Sequence, residues 1–452
     1  MGLIAKWKKR NALARKIKRH FAPAALDAMV VSERKFPAQL RPDVQRGLEE
    51  LFKDSTSTSS FTGVAMERYG IPPSLASLAT NPNSIDPAAP LYEEVDVGEA
   101  TPTRCLRCGL WLARERGTPY ALLLTRSMPP FGEGGLNIQI AIADQQKGEL
   151  IDRVFDRLSE SVRASRSYRG KVLSLEQVSR HTGQSEGVKV HRLRTVAREE
   201  IILPPATLEL LERNVLRFIE RREELGRFGL SRKKGLLFYG PPGTGKTHTI
   251  HYLAGALKGH TTLLIAAEQV AQLAEYMTLA RLLQPSIVVI EDADLIARER
   301  SMMNSPCEEA MLNKLLNEMD GLKEDADVLF ILTTNRPESL EEALRARPGR
   351  IDQAIEFPLP DEEGRKKLVK LYARGVALNE EITGEIVRRT PQVSAAFIKE
   401  LMRRAVQFHL ETQEDGQIAL PDVNEALEEM IFRGGALNAK LLGGVGMGTN
   451  GE

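Results

Sequence analysis

The sequence predicts an α/β protein whose central part is a parallel sheet of five strands with helices on both faces. Three observations lead to this prediction. Short apolar runs alternate with helical patterns between residues 201 and 358, which is typical of a parallel sheet. One of these runs leads directly into a glycine-rich turn and then a helix. After Pro360 the pattern is helical throughout, which predicts a small all-α domain.

The individual elements follow from the same periodicities. The strands of the parallel sheet are predicted at residues 236–239, 261–266, 287–290, 328–333 and 353–357. The helices of the all-α domain are predicted at residues 362–373, 380–389, 394–409 and 422–432. Upstream, strands at 120–125, 136–143, 171–175 and 189–196 and a helix at 148–163 predict an α+β domain.

Composition shifts divide the chain into segments. A basic helical segment (1–54), a Ser/Thr-rich linker (55–60) and the α+β domain (61–200) precede the large α/β subdomain (201–358), the all-α lid (359–433) and a glycine-rich tail (434–452). We expect the tail to be disordered, because it holds many glycines and few apolar residues. We expect the α+β domain to contact a client or partner.

Bulk properties narrow the class of protein. The 452 residues carry a net charge of +1, and no run of eighteen or more apolar residues predicts a membrane span. The N-terminus has neither a secretory nor a myristoylation pattern, so a cytoplasmic protein is expected. Cys105 and Cys108 have the spacing of half a zinc site, but no second Cys or His pair lies nearby, which favours two ordinary thiols.

The first 20 residues are strongly basic, and their apolar residues fall mainly on one helical face. Such a helix can bind an anionic membrane surface or nucleic acid. It can equally pack its apolar stripe on its own domain. The nearly neutral charge of the whole chain favours packing, and a nucleic-acid or membrane partner through residues 1–20 stays an alternative.

The glycine-rich turn has the order of residues that a phosphate-binding loop requires. The turn's glycines allow successive N–H groups to face an anion, and the helix that follows adds its positive end. Lys246 is placed to reach the β- and γ-phosphates, and the Thr247 hydroxyl is placed to bind Mg²⁺. The predicted nucleotide-binding residues are Gly240, Pro241, Pro242, Gly243, Thr244, Gly245, Lys246, Thr247 and His248. The predicted cofactors are ATP and Mg²⁺.

Polar residues end two other predicted strands. Glu291 and Asp292 follow a buried strand, and Asn335 follows the next one. Ligands bind at the carboxyl ends of parallel strands, so Glu291 is expected to hold Mg²⁺ through its water shell. Asp292 is expected to deprotonate the attacking water, and Asn335 to hold that water. Arg347 and Arg350 flank a Pro-Gly turn, where they can reach a neighbouring subunit's γ-phosphate or form a basic surface loop.

These motifs, together with residues 313–321, resemble those of the AAA family of ring ATPases over residues 201–432. The resemblance implies a homo-oligomeric ring, a hexamer or similar, with ATP at the subunit interfaces. It makes Lys246 and Thr247 the Walker A pair, Glu291 and Asp292 the Walker B pair, and Asn335 sensor 1. Arg347 and Arg350 match arginine fingers that act in trans, and Asp320 matches an inter-subunit signalling residue.

The chain departs from the family pattern at three places. The usual Walker B order is Asp-Glu, whereas this chain has Glu291-Asp292. The segment between residues 267 and 280 holds no aromatic–apolar–Gly pore loop, and we expect Tyr276 to lie on a helix face. The lid segment is Ser394-Ala395-Ala396-Phe397 where the family has Ser-Gly-Ala-Asp.

The Walker B order and the short segment are similar to those of the mitochondrial AAA ATPases that translocate the folded Rieske iron–sulfur protein. The layout before the loop, including a Phe-Gly-Leu near the adenine at residues 228–230, is also similar. Those proteins carry a transmembrane helix, so the resemblance implies a soluble relative of them.

The leading functional hypothesis is therefore an ATP-hydrolysing ring that remodels or moves a protein client, chaperone-like, without threading it through aromatic pore loops. The alternative is a nucleotide-gated nucleic-acid binder or loader, suggested by the basic residues 1–20. A small-molecule P-loop kinase is disfavoured by the arginine pair and the all-α lid.

Overall fold

A computed structural model of the full chain describes residues 2–53, 60–65, 72–78, 80–81, 83–127, 135–143, 148–164, 167–176, 187–298, 315, 317–322, 326–340, 349–412 and 417–433. The chain divides into two compact units, Met1–His191 and Arg192–Glu452. The predicted linker, apart from Ser60, and the predicted tail lie outside the described residues. Among the described residues, none of the helices combines the length and the apolar character that crossing a bilayer requires.

The N-terminal unit is built on an antiparallel sheet with the strand order β1-β7-β6-β5-β2. Helices α2 and α3 pack against each other, and a separate antiparallel pair joins β3 to β4. This is the α+β arrangement that the sequence predicts. The elements are α1 (Gly2–Phe21), β1 (Val30–Pro37), α2 (Arg41–Lys53), β2 (Ser60–Gly63), β3 (Tyr92–Val95), β4 (Thr103–Leu106), β5 (Gly109–Glu115), β6 (Thr118–Ser127), β7 (Gly135–Ile142), α3 (Gly148–Ala164), β8 (Val172–Leu175) and β9 (Val188–His191).

The prediction of a separate helical segment over residues 1–54 is wrong. Strand β1 lies inside that segment and pairs with β7 along its whole length. The second half of α1 also packs in this unit, because Leu13, Ile17 and Phe21 are buried in one core with residues of β5 and β6. Residues 1–54 are therefore part of the N-terminal unit, and the packing interpretation of the basic helix is the one the structure supports.

The two cysteines lie at strands that the sequence did not predict. Cys105 is on β4 and Cys108 immediately precedes β5, and both side chains are buried. Burial raises the pKa of Cys105 to about 11 and that of Cys108 to about 12, so both stay protonated thiols at neutral pH. Within the described part of the chain, no cluster of three or more metal-binding side chains occurs. Two ordinary thiols stay the prediction for this pair.

In the C-terminal unit five parallel strands have the order β14-β10-β13-β12-β11. The connection after β10 leads to β11 on one side of β10, whereas the connection after β13 leads to β14 on the other side. Connections that diverge in this way open a cleft at the carboxyl ends of the strands. Strands β12 and β13 are buried along their whole length, as expected for a sheet covered on both faces. The strands are β10 (Lys234–Tyr239), β11 (Thr261–Ile265), β12 (Ser286–Ile290), β13 (Val328–Thr334) and β14 (Gln353–Glu356), which confirms the predicted parallel sheet.

The helices of this unit bridge the strands and then form the lid. Helices α9 to α12 bury a core of their own that includes Phe397, Leu401 and Met402. The helices are α4 (Pro205–Leu211), α5 (Phe218–Arg227), α6 (Lys246–Ala256), α7 (Leu273–Leu282), α8 (Ala293–Arg298), α9 (Glu362–Tyr372), α10 (Glu380–Arg389), α11 (Ala395–Thr412) and α12 (Leu420–Glu428).

Two boundaries in the structure differ from the predicted ones: the end of β9 and the division between the two units. Strand β9 ends at His191 rather than at residue 196. The division between the units follows His191, not residue 200. Residues 192–200 contact the C-terminal unit: the Arg198 guanidinium binds Glu212 Oε1 at 3.1 and 2.7 Å, which connects them to the helical segment after α4.

Candidate nucleotide-binding site

The glycine-rich turn lies between β10 and α6. At Gly240 an added Cβ would lie 2.2 Å from the carbonyl oxygen of Phe357, so only glycine allows the backbone just after β14 to lie this close to the loop. Gly245 has φ +101° and immediately precedes α6, a backbone conformation that glycine adopts without strain. The Thr244 hydroxyl donates to the Pro241 carbonyl at 2.9 Å and closes the loop across its base. The glycine conformations and this hydrogen bond therefore fix the shape of the loop without a ligand.

Lys246 occupies the centre of this loop. Its ammonium donates to the carbonyl oxygens of Gly240 at 2.7 Å and Pro241 at 2.9 Å. The side chain is 7 % exposed. Burial lowers the pKa of Lys246 to about 8, although the charges of Asp292 and Asp294 act in the opposite direction. Neutral carbonyl oxygens offset the positive charge of this ammonium only partly, so the anionic oxygens of a polyphosphate would bind it more strongly.

The depressed pKa predicts a pH-dependent affinity for ATP. Above pH 8 the ammonium of Lys246 loses its proton in the free protein, so the apparent Kd should rise by up to about tenfold per pH unit. The terminal phosphate titrates near pH 6, which keeps the window above pH 7.5 free of ligand titration. Calorimetric titration between pH 7.5 and 9.5 measures the slope. Lys246→Met should abolish it, and a pH-independent Kd in the parent would exclude Lys246 as the titrating group.

The Mg²⁺ ligands predicted from sequence come together. Thr247 Oγ1 lies 2.8 Å from Glu291 Oε1, so the first turn of α6 and the end of β12 present a hydroxyl and a carboxylate to the same point. Hard oxygen ligands of this kind suit Mg²⁺, which protein sites commonly bind through one or two carboxylates together with substrate phosphates. The residues present therefore fit the ion.

Asp292 and Asn335 are also in contact. The side-chain amide of Asn335 donates to Asp292 Oδ1 at 3.1 Å, and the Asp292 N–H donates to Thr333 Oγ1 at 3.0 Å. Asp292 has φ +49°, a conformation that is uncommon for a residue with a side chain and is often found at functional sites. This contact joins the ends of β12 and β13 beside the phosphate-binding loop.

Asp294, two residues after Asp292, is buried beside the backbone of Asn335. It is 3 % exposed and accepts hydrogen bonds from Thr334 Oγ1 at 2.9 Å and from the Asn335 N–H at 3.2 Å. The carboxylate therefore fixes the backbone that carries the Asn335 amide. This is a positioning function that only the tertiary structure reveals.

The loop borders a cavity of about 370 Å³, a size suited to a small ligand. Residues 242–248, Asp292 and Asn335 line it, whereas Gly240 and Pro241 contribute through their carbonyl contacts to Lys246. Burial lowers the pKa of His248, which faces this cavity, and the nearby Glu200 carboxylate acts in the opposite direction. His248 is therefore a neutral ring at physiological pH.

The other end of the cavity is apolar, and sequence reasoning missed it. It is formed by Ile201, Ile202 and Leu203 before α4, and by Leu368 and Tyr372 of α9. An apolar end opposite a phosphate loop suits a nucleobase. The Ile-Ile-Leu-Pro-Pro run at 201–205 was the available signal, since it is apolar and lies outside any periodic element.

The expected position of Phe228 near the base is wrong. Its side chain is 82 % exposed, and residues 228–230 are not among those lining the cavity. Gly229 has a positive φ and turns the chain away after α5. The Ile-Ile-Leu segment occupies the cavity wall instead.

The lid segment at residues 394–397, which departs from the family pattern, contacts the phosphate-binding loop. The Ala396 N–H donates to the Gly243 carbonyl at 3.1 Å, and Ala395 and Ala396 line the cavity. Ser394 Oγ accepts from the Phe397 N–H at 3.2 Å, which caps α11. Phe397 is fully buried in the lid core, which explains why an apolar residue stands where the family pattern has Asp.

Arg350 is not among the residues that line the cavity of its own chain. Arg350 Nε donates to Asp320 Oδ1 at 3.0 Å, and Arg350 Nη2 binds the second carboxylate oxygen of Asp320. This ion pair joins two of the residues that the resemblance places at a subunit interface. Arg347 lies outside the described residues.

The segment after β11 forms no aromatic loop. A 3-10 helix over Ala267–Gln272 leads directly into α7, where Tyr276 and Met277 are fully buried. The prediction that Tyr276 lies on a helix face is confirmed. A side chain packed in this way cannot contact a polypeptide at the surface.

The fold and the site together define a P-loop nucleoside-triphosphate-binding domain. Residues 236–359 match the model of the ATPase family associated with various cellular activities, the AAA family, so this part of the chain is an AAA ATPase domain. The family is the one that the sequence motifs predict.

Three curated proteins illustrate the similarity. The proteasome-activating nucleotidase of Methanothermobacter thermautotrophicus is 32% identical over 225 residues, which are 47% of this chain and 54% of the nucleotidase. The ATP-dependent zinc metalloprotease FtsH of Acaryochloris marina is 33% identical over 240 residues, 50% of this chain and 36% of the protease. The cell division cycle protein 48 homolog of Archaeoglobus fulgidus is 33% identical over 221 residues, 47% of this chain and 29% of the homolog. The chain thus spans about half or less of each relative.

Proposed function

We propose that this protein hydrolyses ATP with Mg²⁺ and uses the cycle to remodel or move a protein client. The observation that carries the proposal is the contact of Asp292 with Asn335. Both residues line the cavity beside the phosphate-binding loop, where the γ-phosphate of a bound ATP would lie. The names of two relatives describe a proteasome activator and a protease, which favours a protein client over nucleic acid.

Each residue has a separate task in this reaction. The Lys246 ammonium leaves its two carbonyl partners and binds the phosphate oxygens. Thr247 and Glu291 would hold Mg²⁺, which would offset the charge that develops on the transferred phosphoryl group. Asn335 orients the attacking water, and Asp292 Oδ accepts its proton. Asp292 is shorter than the glutamate usual at this place, and its direct contact with Asn335 places its carboxylate beside the residue that orients the water.

We further propose that the active form is a homo-oligomeric ring in which Arg347 and Arg350 act on the neighbouring subunit's nucleotide. The exposed carboxylate of Asp320 beside Arg350 supports this proposal, because it provides a partner that holds the guanidinium until an interface forms. A head-to-tail interface of this kind closes into a ring when its rotation permits.

Mixing subunits tests the shared site and the hydrolysis together. Subunits with Arg347→Ala and subunits with Asp292→Asn should each be inactive alone. In an equimolar random mixture about one quarter of the sites combine an intact Asp292 with an intact neighbouring arginine, so about one quarter of the parent phosphate-release rate should return. No recovery at any ratio would show that the site is not shared between chains.

We propose that the client is moved without threading through aromatic pore loops, since Tyr276 is buried in α7. The protein should therefore not unfold a stably folded, tagged fluorescent protein during ATP turnover. Loss of fluorescence in the presence of a trap that captures unfolded protein measures this directly. A processive, ATP-dependent loss of fluorescence would contradict this part of the proposal while leaving the ATPase assignment intact.

A further inference from the structure

The antiparallel sheet of the N-terminal unit ends in two edge strands of different length. Strand β2 forms one edge with four residues, whereas β1 forms the other edge with eight. Edge strands present unpaired N–H and C=O groups, and proteins commonly shorten them, interrupt them with a bulge or place a proline in them. The ladder of β1 with β7 runs without a bulge from Val30 to Pro37, and the proline is its last residue. Strand β1 is therefore a long and regular edge.

The outer side of this edge is open. Among the described strands none pairs with β1 on the side away from β7, and in the same part of the chain the backbone of residues 30–37 forms no backbone hydrogen bond outside that ladder. One face of β1 is nevertheless held in place. Phe36 is buried, and the Arg34 guanidinium lies 4.6 Å from the centre of the Phe155 ring and donates to Ser159 Oγ at 2.8 Å. A strand fixed in this way presents a preformed edge to another strand.

Two opposite charges lie on the other face of β1. Glu33 and Lys35 are both exposed, and residues two apart on a strand share a face. Glu33 accepts a hydrogen bond from Gln139 Nε2 of β7 at 2.7 Å, whereas Lys35 makes no hydrogen bond or ion pair with any described residue. Charges of one sign on an edge strand oppose pairing. An acidic and a basic residue with one residue between them are instead complementary to the same pair on a reversed strand.

The register decides whether two copies of β1 attract each other. In an antiparallel pairing centred on Arg34, Glu33 of each copy lies directly opposite Lys35 of the other, which gives two opposite-charge pairs. An antiparallel pairing centred on Glu33 or on Lys35 places like charges opposite each other. A parallel pairing in register does the same. The pattern thus favours a closed pair of strands and disfavours an open stack.

We propose that β1 pairs antiparallel with β1 of a second copy of this chain, centred on Arg34, with Glu33 of each copy opposite Lys35 of the other. The two Arg34 side chains also lie opposite each other in this register. Their repulsion is small, because each guanidinium is held toward α3, where Asp156 Oδ1 lies 3.6 Å from Nη1 and offsets part of the charge. The opposite-charge pairs on the other face therefore determine the register.

The contact has a two-fold axis, so it joins chains in pairs. Neighbours in a ring of more than two subunits are related by the rotation of the ring and not by a two-fold axis. In the proposed ring the contact would therefore join chains of two different rings. One short ladder buries less surface than a stable interface needs, so a single pair is weak. Several such pairs between two rings would act together and bind more tightly.

Charge reversal in the full chain tests this pairing. Lys35→Glu places like charges opposite each other at both positions, so self-association, measured by sedimentation over a micromolar concentration series, should weaken by roughly 10- to 100-fold. The parent should form a species of twice the mass that Lys35→Glu forms under the same conditions, whether the smaller species is a single chain or a ring. Lys53→Glu makes the same change of charge at an exposed lysine at the end of α2 and should associate like the parent.

A mixture of two variants tests the register. Glu33→Lys should also stay in the smaller form, because it places positive charges opposite each other. An equimolar mixture of the Lys35→Glu chain and the Glu33→Lys chain restores both opposite-charge pairs in the antiparallel register, so the species of double mass should return. A misfolded variant could not produce this recovery. Thermal melts followed by circular dichroism check the fold of Glu33→Lys, which loses the hydrogen bond from Gln139.

Three results would overturn the inference. A parent chain that never exceeds the mass of Lys35→Glu does not pair through β1, and the edge is then available to a strand of a client instead. A double mass in the parent and in every variant places the self-contact elsewhere. Failure of the mixture to recover the double mass excludes the register centred on Arg34. None of these results bears on the proposed ATP hydrolysis, because the inference uses residues of the N-terminal unit alone.

Discussion

Replacing Asp292 with asparagine is expected to lower the rate of ATP hydrolysis by about 10²- to 10⁴-fold, the range typical for loss of a general base. Asparagine keeps an oxygen that can accept from the Asn335 amide, as Asp292 Oδ1 does at 3.1 Å, so the geometry of the site is retained. Nucleotide binding, measured by calorimetry, should therefore stay within about twofold of the parent. Phosphate release at saturating ATP measures the loss of turnover.

A matched control is Glu275→Gln on α7, which removes one exposed carboxylate of the same subdomain away from the cavity. It should hydrolyse ATP at the parent rate. The Asp292→Asn protein should also accumulate as the assembled oligomer in ATP, because the bound nucleotide is not consumed; light scattering after gel filtration detects this. Parent-like hydrolysis by Asp292→Asn would mean that another residue is the base.

Replacing Lys246 with methionine is expected to weaken ATP binding by about 10- to 100-fold, the cost of losing one hydrogen bond between charged partners. The methylene stem of methionine fills the same buried space, and burial already disfavours the charge of the free lysine, as its lowered pKa shows. The free variant should thus unfold at or above the parent temperature. A fall in affinity without a fall in thermal stability identifies a role in binding.

Lys258→Met, which removes an exposed lysine just after α6, serves as the comparison. It removes the same charge from the same region but does not line the cavity. Its ATP affinity should match that of the parent. If Lys246→Met and Lys258→Met bind ATP equally well, the phosphate-binding assignment of the loop is wrong.

Much of the candidate site could be predicted from local sequence. A strand, a glycine-rich turn and Lys246-Thr247 lie within twelve residues, so their geometry depends on short-range backbone rules. Glu291, Asp292 and Asn335 were found because parallel strands end at the same edge of a sheet, which places successive strand ends together. The contacts of Thr247 with Glu291 and of Asn335 with Asp292 agree with that reasoning.

Other parts could not be predicted because they depend on long-range packing. The strand β1 is flanked by helices, and it is stabilised as a strand by pairing with β7, more than a hundred residues later. Phe228 has the sequence context of a base contact, yet the backbone turn at Gly229 leaves it exposed. Propensity alone does not report which distant segment an apolar residue meets.

The sequence by itself determined the class of chemistry: the phosphate-binding loop, the acidic strand end, the polar residue of the next strand and the parallel α/β core. Only the tertiary structure decided the apolar end of the cavity, the positioning role of Asp294 and the position of β1 at the edge of its sheet. The physical reason is the range of the interactions. Phosphate chemistry needs residues at fixed short spacings, whereas a cavity wall is assembled from segments as distant as residues 201 and 399, whose meeting is set by burial and not by sequence spacing.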